Sequence, residues 1–162
     1  MEHGAATAWL HWLQDGAVGQ AMRKSVTLYP AVETLHIIGL ALLVGSIAAL
    51  DLRLLGAARR LPALALSRLL LPIAAGGFVL AAVTGALLFT TEAASTARNP
   101  AFLAKLTLIA AAGANAAALH LGVWRRIAAW GERPPAPARA AAALSLLLWG
   151  GAVACGRLIA YF

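Results

Sequence analysis

The sequence predicts an all-α integral membrane protein, an up-down four-helix bundle with an N-terminal interfacial amphipathic segment. Three observations predict it. Of the 162 residues, 62 % are hydrophobic and only 12 % are charged, against about 25 % charged in an ordinary soluble domain. Mean hydropathy is +0.81, and a water-soluble globule of this size could not hide so much apolar surface. Four apolar stretches are each long enough to cross about 30 Å of hydrocarbon at about 1.5 Å per residue. The same composition excludes a disordered chain and argues against a soluble enzyme.

The N-terminal segment, residues 1–30, comes first. Trp9, Trp12 and Leu13 recur at helical spacing beside His11 and Gln14. A short amphipathic helix lying in the outer interface follows, with residues 17–28 continuing it. It either anchors the depth of the first span or forms a lid over the outer face of the bundle. Glu2 and His3 stand where a secretory signal would be basic, and Asp15 interrupts the apolar run, so no signal peptide is expected.

The bundle, residues 31–162, follows. The first span runs from about Ala31 to Leu55, with Pro30 in its first turn, where a missing N–H costs nothing. The second runs from about Arg68 to Thr91, with Pro72 expected to bend its first turn. The third runs from about Ala101 to Trp124, with Asn99 as N-cap and Pro100 at N1. The fourth runs from about Arg139 to Tyr161, after a stiff polar loop, Gly131 to Pro137. Short links make sequential helices antiparallel neighbours. Small residues at four-residue spacing are expected to let helices approach closely in lipid: Gly77, Ala81 and Gly85; Ala110, Ala114 and Ala118; Gly151 and Cys155.

Charge sets the orientation. Arg53, Arg59, Arg60, Arg68, Arg125, Arg126, Arg133 and Arg139 fall on one side, and Arg23, Lys24, Arg98, Lys105 and Arg157 on the other. The richer side should be cytoplasmic, which places both termini outside the cytoplasm in a multi-pass inner-membrane protein. The net charge of +7 reads as this bias and not as nucleic-acid binding. The single cysteine, Cys155, permits no intrachain disulfide.

Ionisable groups inside spans are expensive and need a reason. Glu33 and His36 share a face of the first span, one turn apart. Asp51 follows Glu33 by 18 residues, five turns at about 3.6 residues per turn, and returns to the same angle. This stripe should face the bundle interior. Lys105 and Arg157 fall near the depth of Glu33 and His36, so these four form a candidate cluster in the outer leaflet. Glu33 and Arg157 could simply neutralise one another. In the inner leaflet, Asp51 and Arg53 read as an interfacial ion pair and His120 as a headgroup-level histidine. His36 and His120 differ in depth by about 21 Å, so the two cannot grip one haem iron. A haem at His36 would take another sixth ligand, such as His11, or stay five-coordinate.

The segments Leu35-His36-Ile37-Ile38, Gly45 and Arg53-Leu54-Leu55, with Ala104-Lys105-Leu106-Thr107-Leu108 and Asn115, carry a resemblance. The chain resembles the superfamily of small four-helix bacterial membrane proteins that includes the copper-resistance D (CopD) domain and the HemJ-type protoporphyrinogen oxidases. As a whole it is most similar to a branch defined as a domain of unknown function. The resemblance covers mainly the first and third spans. The HemJ-type likeness implies haem b with His36 and Lys105 as the functional positions. The CopD likeness implies copper, on the stretch from Lys105 to Asn115. Copper handling favours soft ligands, yet sulfur is offered only by Met1, Met22 and Cys155.

The leading expectation is therefore a haem b-binding, redox-active membrane protein. His36 would be the axial ligand, and Glu33, Lys105 and Arg157 would supply charge around iron and propionates. The alternatives are a copper-handling transporter or accessory protein and a cofactor-free scaffold or assembly subunit. Expected partners are membrane lipids and a redox partner in the membrane or periplasm, with self-association left open.

Overall fold

The computed structural model describes residues 2–130 and 133–161, with side chains from residue 8 onward. Gly131 and Glu132 of the expected polar loop, and Met1, lie outside the described residues. The described chain is helical throughout: α1 (Glu2–Asp15), α2 (Ala17–Lys24), α3 (Leu28–Leu55), α4 (Ala63–Phe89), α5 (Ala93–Thr96), α6 (Pro100–Leu121) and α7 (Ala136–Leu158). Short 3₁₀ segments, Val123–Ala129 and Ile159–Tyr161, follow α6 and α7.

Four helices are long and apolar enough to cross a membrane: Leu28–Leu55, Ala63–Phe89, Pro100–Leu121 and Ala136–Tyr161. Three of them begin earlier than the sequence suggests. α3 starts at Leu28, so Pro30 still falls in the first turn, where backbone N–H groups have no intrahelical partner. α4 starts at Ala63, directly after Pro62. Ser67 reads as the last residue of the link in sequence but lies within α4, where its Oγ donates to the Leu64 carbonyl at 2.8 Å. Pro72 consequently lies well inside α4 and not in its first turn. α7 starts at Ala136, with Pro137 in its first turn. The cap of α6 is as expected: Asn99 Oδ1 accepts from the Ala101 and Phe102 amides at 2.9 and 3.3 Å. Asn99 Nδ2 also donates to the Ile159 carbonyl at 3.0 Å, tying the start of α6 to the end of α7.

α3 is central. It packs most extensively along α4 and then on α7, and α6 pairs with α7. The spatial order is thus α4, α3, α7, α6. α4 and α6 are joined by the short α5 segment but do not pack along their length, unlike the neighbour rule applied to the sequence. They meet at one end, where Phe89 stacks on Phe102 with ring centroids 5.4 Å apart. Below this contact a gap remains between the two helix pairs, and it forms the cleft described next.

The α3–α4 crossing rests on two glycines. A Cβ at Gly77 would fall 2.6 Å from the Leu43 amide nitrogen, and one at Gly39 would fall 2.8 Å from the Ala81 nitrogen. Backbone therefore lies directly on backbone, which maximises dispersion contact where water cannot drive association. Gly77 and Ala81 act as the small-residue spacing predicts, and Gly151 admits Leu108 of α6 at 3.2 Å. The α6 stripe does not: Ala110, Ala114 and Ala118 are all exposed on the outside of the bundle. Equal spacing defines a face, and it does not say which face meets a neighbour.

At the arginine-rich end, Leu54, Ala63, Ile127 and Ala142 form a buried cluster packed by Trp124 and Trp130. Arg53, only 1 % exposed, lies beside it. Its guanidinium donates to the carbonyls of Leu61 at 2.6 Å and Arg59 at 3.0 Å, holding the α3–α4 link in place. The Asp51–Arg53 ion pair expected from sequence does not form. Two residues apart on a helix the side chains diverge.

Candidate functional site

The opposite end of the bundle holds an open cleft of about 1000 Å³, at the upper end of the range for small-molecule and cofactor sites. Its walls come from α3, α4, α6 and α7, and α2 contributes Met22 and Arg23. All four site residues expected from sequence line it: Glu33, His36, Lys105 and Arg157. The helical period of α3 puts Glu33 and His36 on the cleft face, with Ile37, Leu40 and Val44 continuing down it. Antiparallel packing of α7 on α3 brings Arg157 to the same end, with Trp149, Ala152 and Val153 deeper. The polar groups thus surround the mouth, and the floor is apolar.

His36 is held by α4. Its Nδ1 lies 3.0 Å from Thr84 Oγ1. The Thr84 hydroxyl hydrogen is directed to the Leu80 carbonyl, 2.6 Å away. A hydroxyl has one hydrogen to give, so the Thr84 oxygen accepts and His36 Nδ1 donates. This network assigns the Nδ1–H tautomer and leaves Nε2 with its lone pair, the state required of a neutral imidazole that ligates a metal or accepts a proton.

Two glycines make room for the two central side chains. A Cβ at Gly85 would fall 3.1 Å from His36 Cε1, so the imidazole lies in a notch on α4. A Cβ at Gly156 would fall 3.8 Å from Lys105 Cδ, Cε and Nζ, so the lysine runs across a matching notch on α7. Gly85 was expected to serve helix contact; its role is to seat the ring. Thr84, Gly85, Gly156 and Met22 were not identified as site residues from sequence. Only the fold brings them opposite His36 and Lys105.

The remaining charges at the mouth sort by partner. Arg23 is engaged: its guanidinium donates to the Gln14 carbonyl at 2.7 Å and the Thr91 carbonyl at 3.1 Å, and pairs with Asp15 at 3.4 Å. It staples α1 and α2 to the end of α4, and Gly19 helps by admitting the Thr90 carbonyl, 2.9 Å from where its Cβ would lie. Of the N-terminal helices only α2 borders the cleft, through Met22 and Arg23, while Trp9 and Trp12 of α1 point outward at 54 % and 76 % exposure. Arg157 lies over the Tyr161 ring, 5.4 Å from its centroid, and donates to its hydroxyl at 3.2 Å. Glu33 and Arg157 do not pair with one another. Among the described residues the only ion pair is Asp15 with Arg23.

The other histidines stay outside. His11 is exposed on α1 and does not line the cleft, so it is not placed as a second axial ligand. His120 is exposed near the far end, with Nδ1 2.8 Å from the Ala116 carbonyl and its ring 4.7 Å from that of Trp124. Of the sulfur atoms, Met22 lines the cleft and is 2 % exposed, while Cys155 is not among the lining residues. Among the described residues no three His, Cys, Asp or Glu side chains are grouped to hold a metal ion. Asp51 is 6 % exposed, with Oδ2 lacking a hydrogen-bond partner among the described residues. It is not among the residues lining the cleft.

No protein-family model, curated protein or solved structure matches the chain. The functional reading therefore rests on the geometry of the cleft.

Proposed function

We propose that this protein binds haem b in the cleft, with His36 as the residue that would hold the iron, and acts in redox chemistry at the membrane. The observation that carries the reading is the His36–Thr84–Leu80 hydrogen-bond chain. Metal-ligating histidines almost always donate their second nitrogen to a fixed partner, which sets tautomer and ring orientation. Here Thr84 is that partner. The residues also fit the group in shape and charge. An apolar floor of Leu40, Val44, Ile109 and Trp149 suits a macrocycle, and Lys105 and Arg157 at the mouth suit two carboxylates.

Haem, when bound, would supply one-electron transfer at the iron. The chain's own residues do the rest. Thr84 holds the imidazole and Gly85 gives it space, and Lys105 and Arg157 would hold the carboxylates. α2 borders the mouth through Met22 and Arg23. Glu33, one turn from His36 at the mouth, is placed to hold a proton or to balance the two cations.

The arginine distribution supports a cleft in the outer leaflet of a bacterial inner membrane, with both termini outside the cytoplasm. A redox partner or substrate then reaches the cleft from the lipid or the periplasmic face.

The test compares bound haem and copper per protein in the wild type, His36→Ala and His120→Ala, expressed equally. Haem lost only in His36→Ala supports the reading. Haem lost only in His120→Ala moves the site to the other end of the bundle. A wild type with neither cofactor overturns the reading in favour of a scaffold role.

A further inference from the structure

The end of the bundle away from the cleft holds a second, smaller pocket, of about 250 Å³. Three arginines line it: Arg59 from the α3–α4 link, Arg133 from the loop before α7, and Arg139 from the first turn of α7. Leu54, Leu55 and Gly56 complete much of the wall. Among the described residues no acidic side chain lines the pocket, and none of the three guanidiniums is in an ion pair.

Arg59 is folded into place by the backbone. Gly56 ends α3 with φ +116°, a conformation that costs a residue with a side chain dearly. Arg59 Nε donates to the Gly56 carbonyl at 3.1 Å. A Cβ at Gly56 would fall 3.1 Å from Arg59 Nη2, so the missing side chain is the space the guanidinium occupies.

A general excess of basic residues at one membrane face asks only that arginines be on that side. Arg60, Arg68, Arg125 and Arg126 satisfy it, and none of them lines this pocket. Bringing three like charges from three separate segments around one cavity is opposed by Coulomb repulsion unless an anion joins them. The level identifies the anion. Leu54 and Leu55 are the last residues of a membrane-spanning helix, so the pocket straddles the boundary between hydrocarbon and water, where phospholipid phosphates lie. Guanidinium forks match phosphate oxygens in pairs, and basic pockets between spanning helices take acidic lipid headgroups.

We propose that Arg59, Arg133 and Arg139 bind the phosphate of an anionic phospholipid headgroup at this end of the bundle. The assignment does not depend on the haem reading. The occupant's acyl chains lie along the apolar flank of α3 and its phosphate closes the arginine cluster, linking the α3–α4 link to the start of α7.

The test uses full-length, delipidated protein in detergent, titrated separately with phosphatidylglycerol and phosphatidylcholine and read by native mass spectrometry. The variant is Arg133→Gln with Arg139→Gln, since neither side chain makes a hydrogen bond to another described residue. Arg59, which helps shape the turn, is left intact. The control is Arg68→Gln with Arg125→Gln, which removes equal charge from the same face. The wild type should prefer phosphatidylglycerol by about tenfold or more, the scale of one or two charge-assisted hydrogen bonds. The Arg133/Arg139 variant should lose that preference and the control should keep it. Loss of the same size in the control, or no preference in the wild type, overturns the proposal. So does displacement of phosphatidylglycerol by equimolar inorganic phosphate, which would make this a free-phosphate site. Wild-type-like far-UV circular dichroism of the variant separates lost binding from lost folding. Should the double variant not fold, Arg139→Gln alone takes its place, and unchanged affinity there also overturns the proposal.

Discussion

Gly77 and Gly85 lie on α4 and both face α3, yet alanine should do different things at each. At Gly77 the new Cβ would stand 2.6 Å from the Leu43 amide nitrogen and 2.8 Å from the Gly39 carbonyl oxygen. Ordinary contact begins near 3.4 Å, so the shortfall is 3.4 − 2.6 = 0.8 Å, and the obstacle is helical backbone. At Gly85 the nearest atom is His36 Cε1 at 3.1 Å, a shortfall of 3.4 − 3.1 = 0.3 Å against a ring on rotatable bonds. Replacing a helical glycine by alanine gains about 1 kcal/mol, and overpacking costs about 1–3 kcal/mol. Gly77→Ala should therefore lose up to about 2 kcal/mol net, because α3 and α4 must separate along their length. Gly85→Ala should be near neutral in stability, yet it displaces the imidazole and should weaken haem binding. The assay is thermal unfolding in one detergent by far-UV circular dichroism, paired with haem titration. Equal destabilisation of both variants, or a larger loss in Gly85→Ala, would refute the reasoning.

Three further predictions follow from the same contacts. Thr84→Val keeps the volume and removes the partner of His36 Nδ1, so haem affinity should fall by about 10–100-fold, the usual cost of losing such a partner, read by haem titration. Arg53→Met leaves the Leu61 and Arg59 carbonyls without their guanidinium donor, at about 1 kcal/mol for each lost hydrogen bond. It should lower the thermal midpoint and speed protease cleavage in the α3–α4 link. A reporter fused to the C-terminus should be active only outside the cytoplasm; activity inside would overturn the proposed orientation.

The spans were legible because their signals are local. Runs of apolar residues, Asn99 with Pro100, and Pro30 in a first turn are each decided within a few residues of chain. Boundaries slipped where a polar residue is satisfied within the helix, as at Ser67. The site was legible in part for a related reason. Helical period alone aligns Glu33 with His36, and depth alone brings Lys105 and Arg157 beside them. What the sequence could not show was which residues of other helices face them. Thr84 drew no notice because a hydroxyl can bond its own helix backbone and so demands no partner. Gly85 and Gly156 read as generic small residues, though each is the space for one particular side chain. Gly77 and Ala114 belong to equally spaced stripes, yet one is buried against α3 and the other is exposed. Only packing distinguishes them. The Asp51–Arg53 pairing failed on helical geometry, since residues two apart point to opposite sides.

Haem b on His36 should be visible in the absorption spectrum of the wild-type protein purified in detergent from a haem-replete host. A Soret band at a stoichiometry near one haem per chain is expected. The band should shift or bleach in Thr84→Val, with wild-type-like circular dichroism, and stay unchanged in His120→Ala. A folded wild-type protein without a Soret band, to which added haem does not bind, would contradict haem binding at His36.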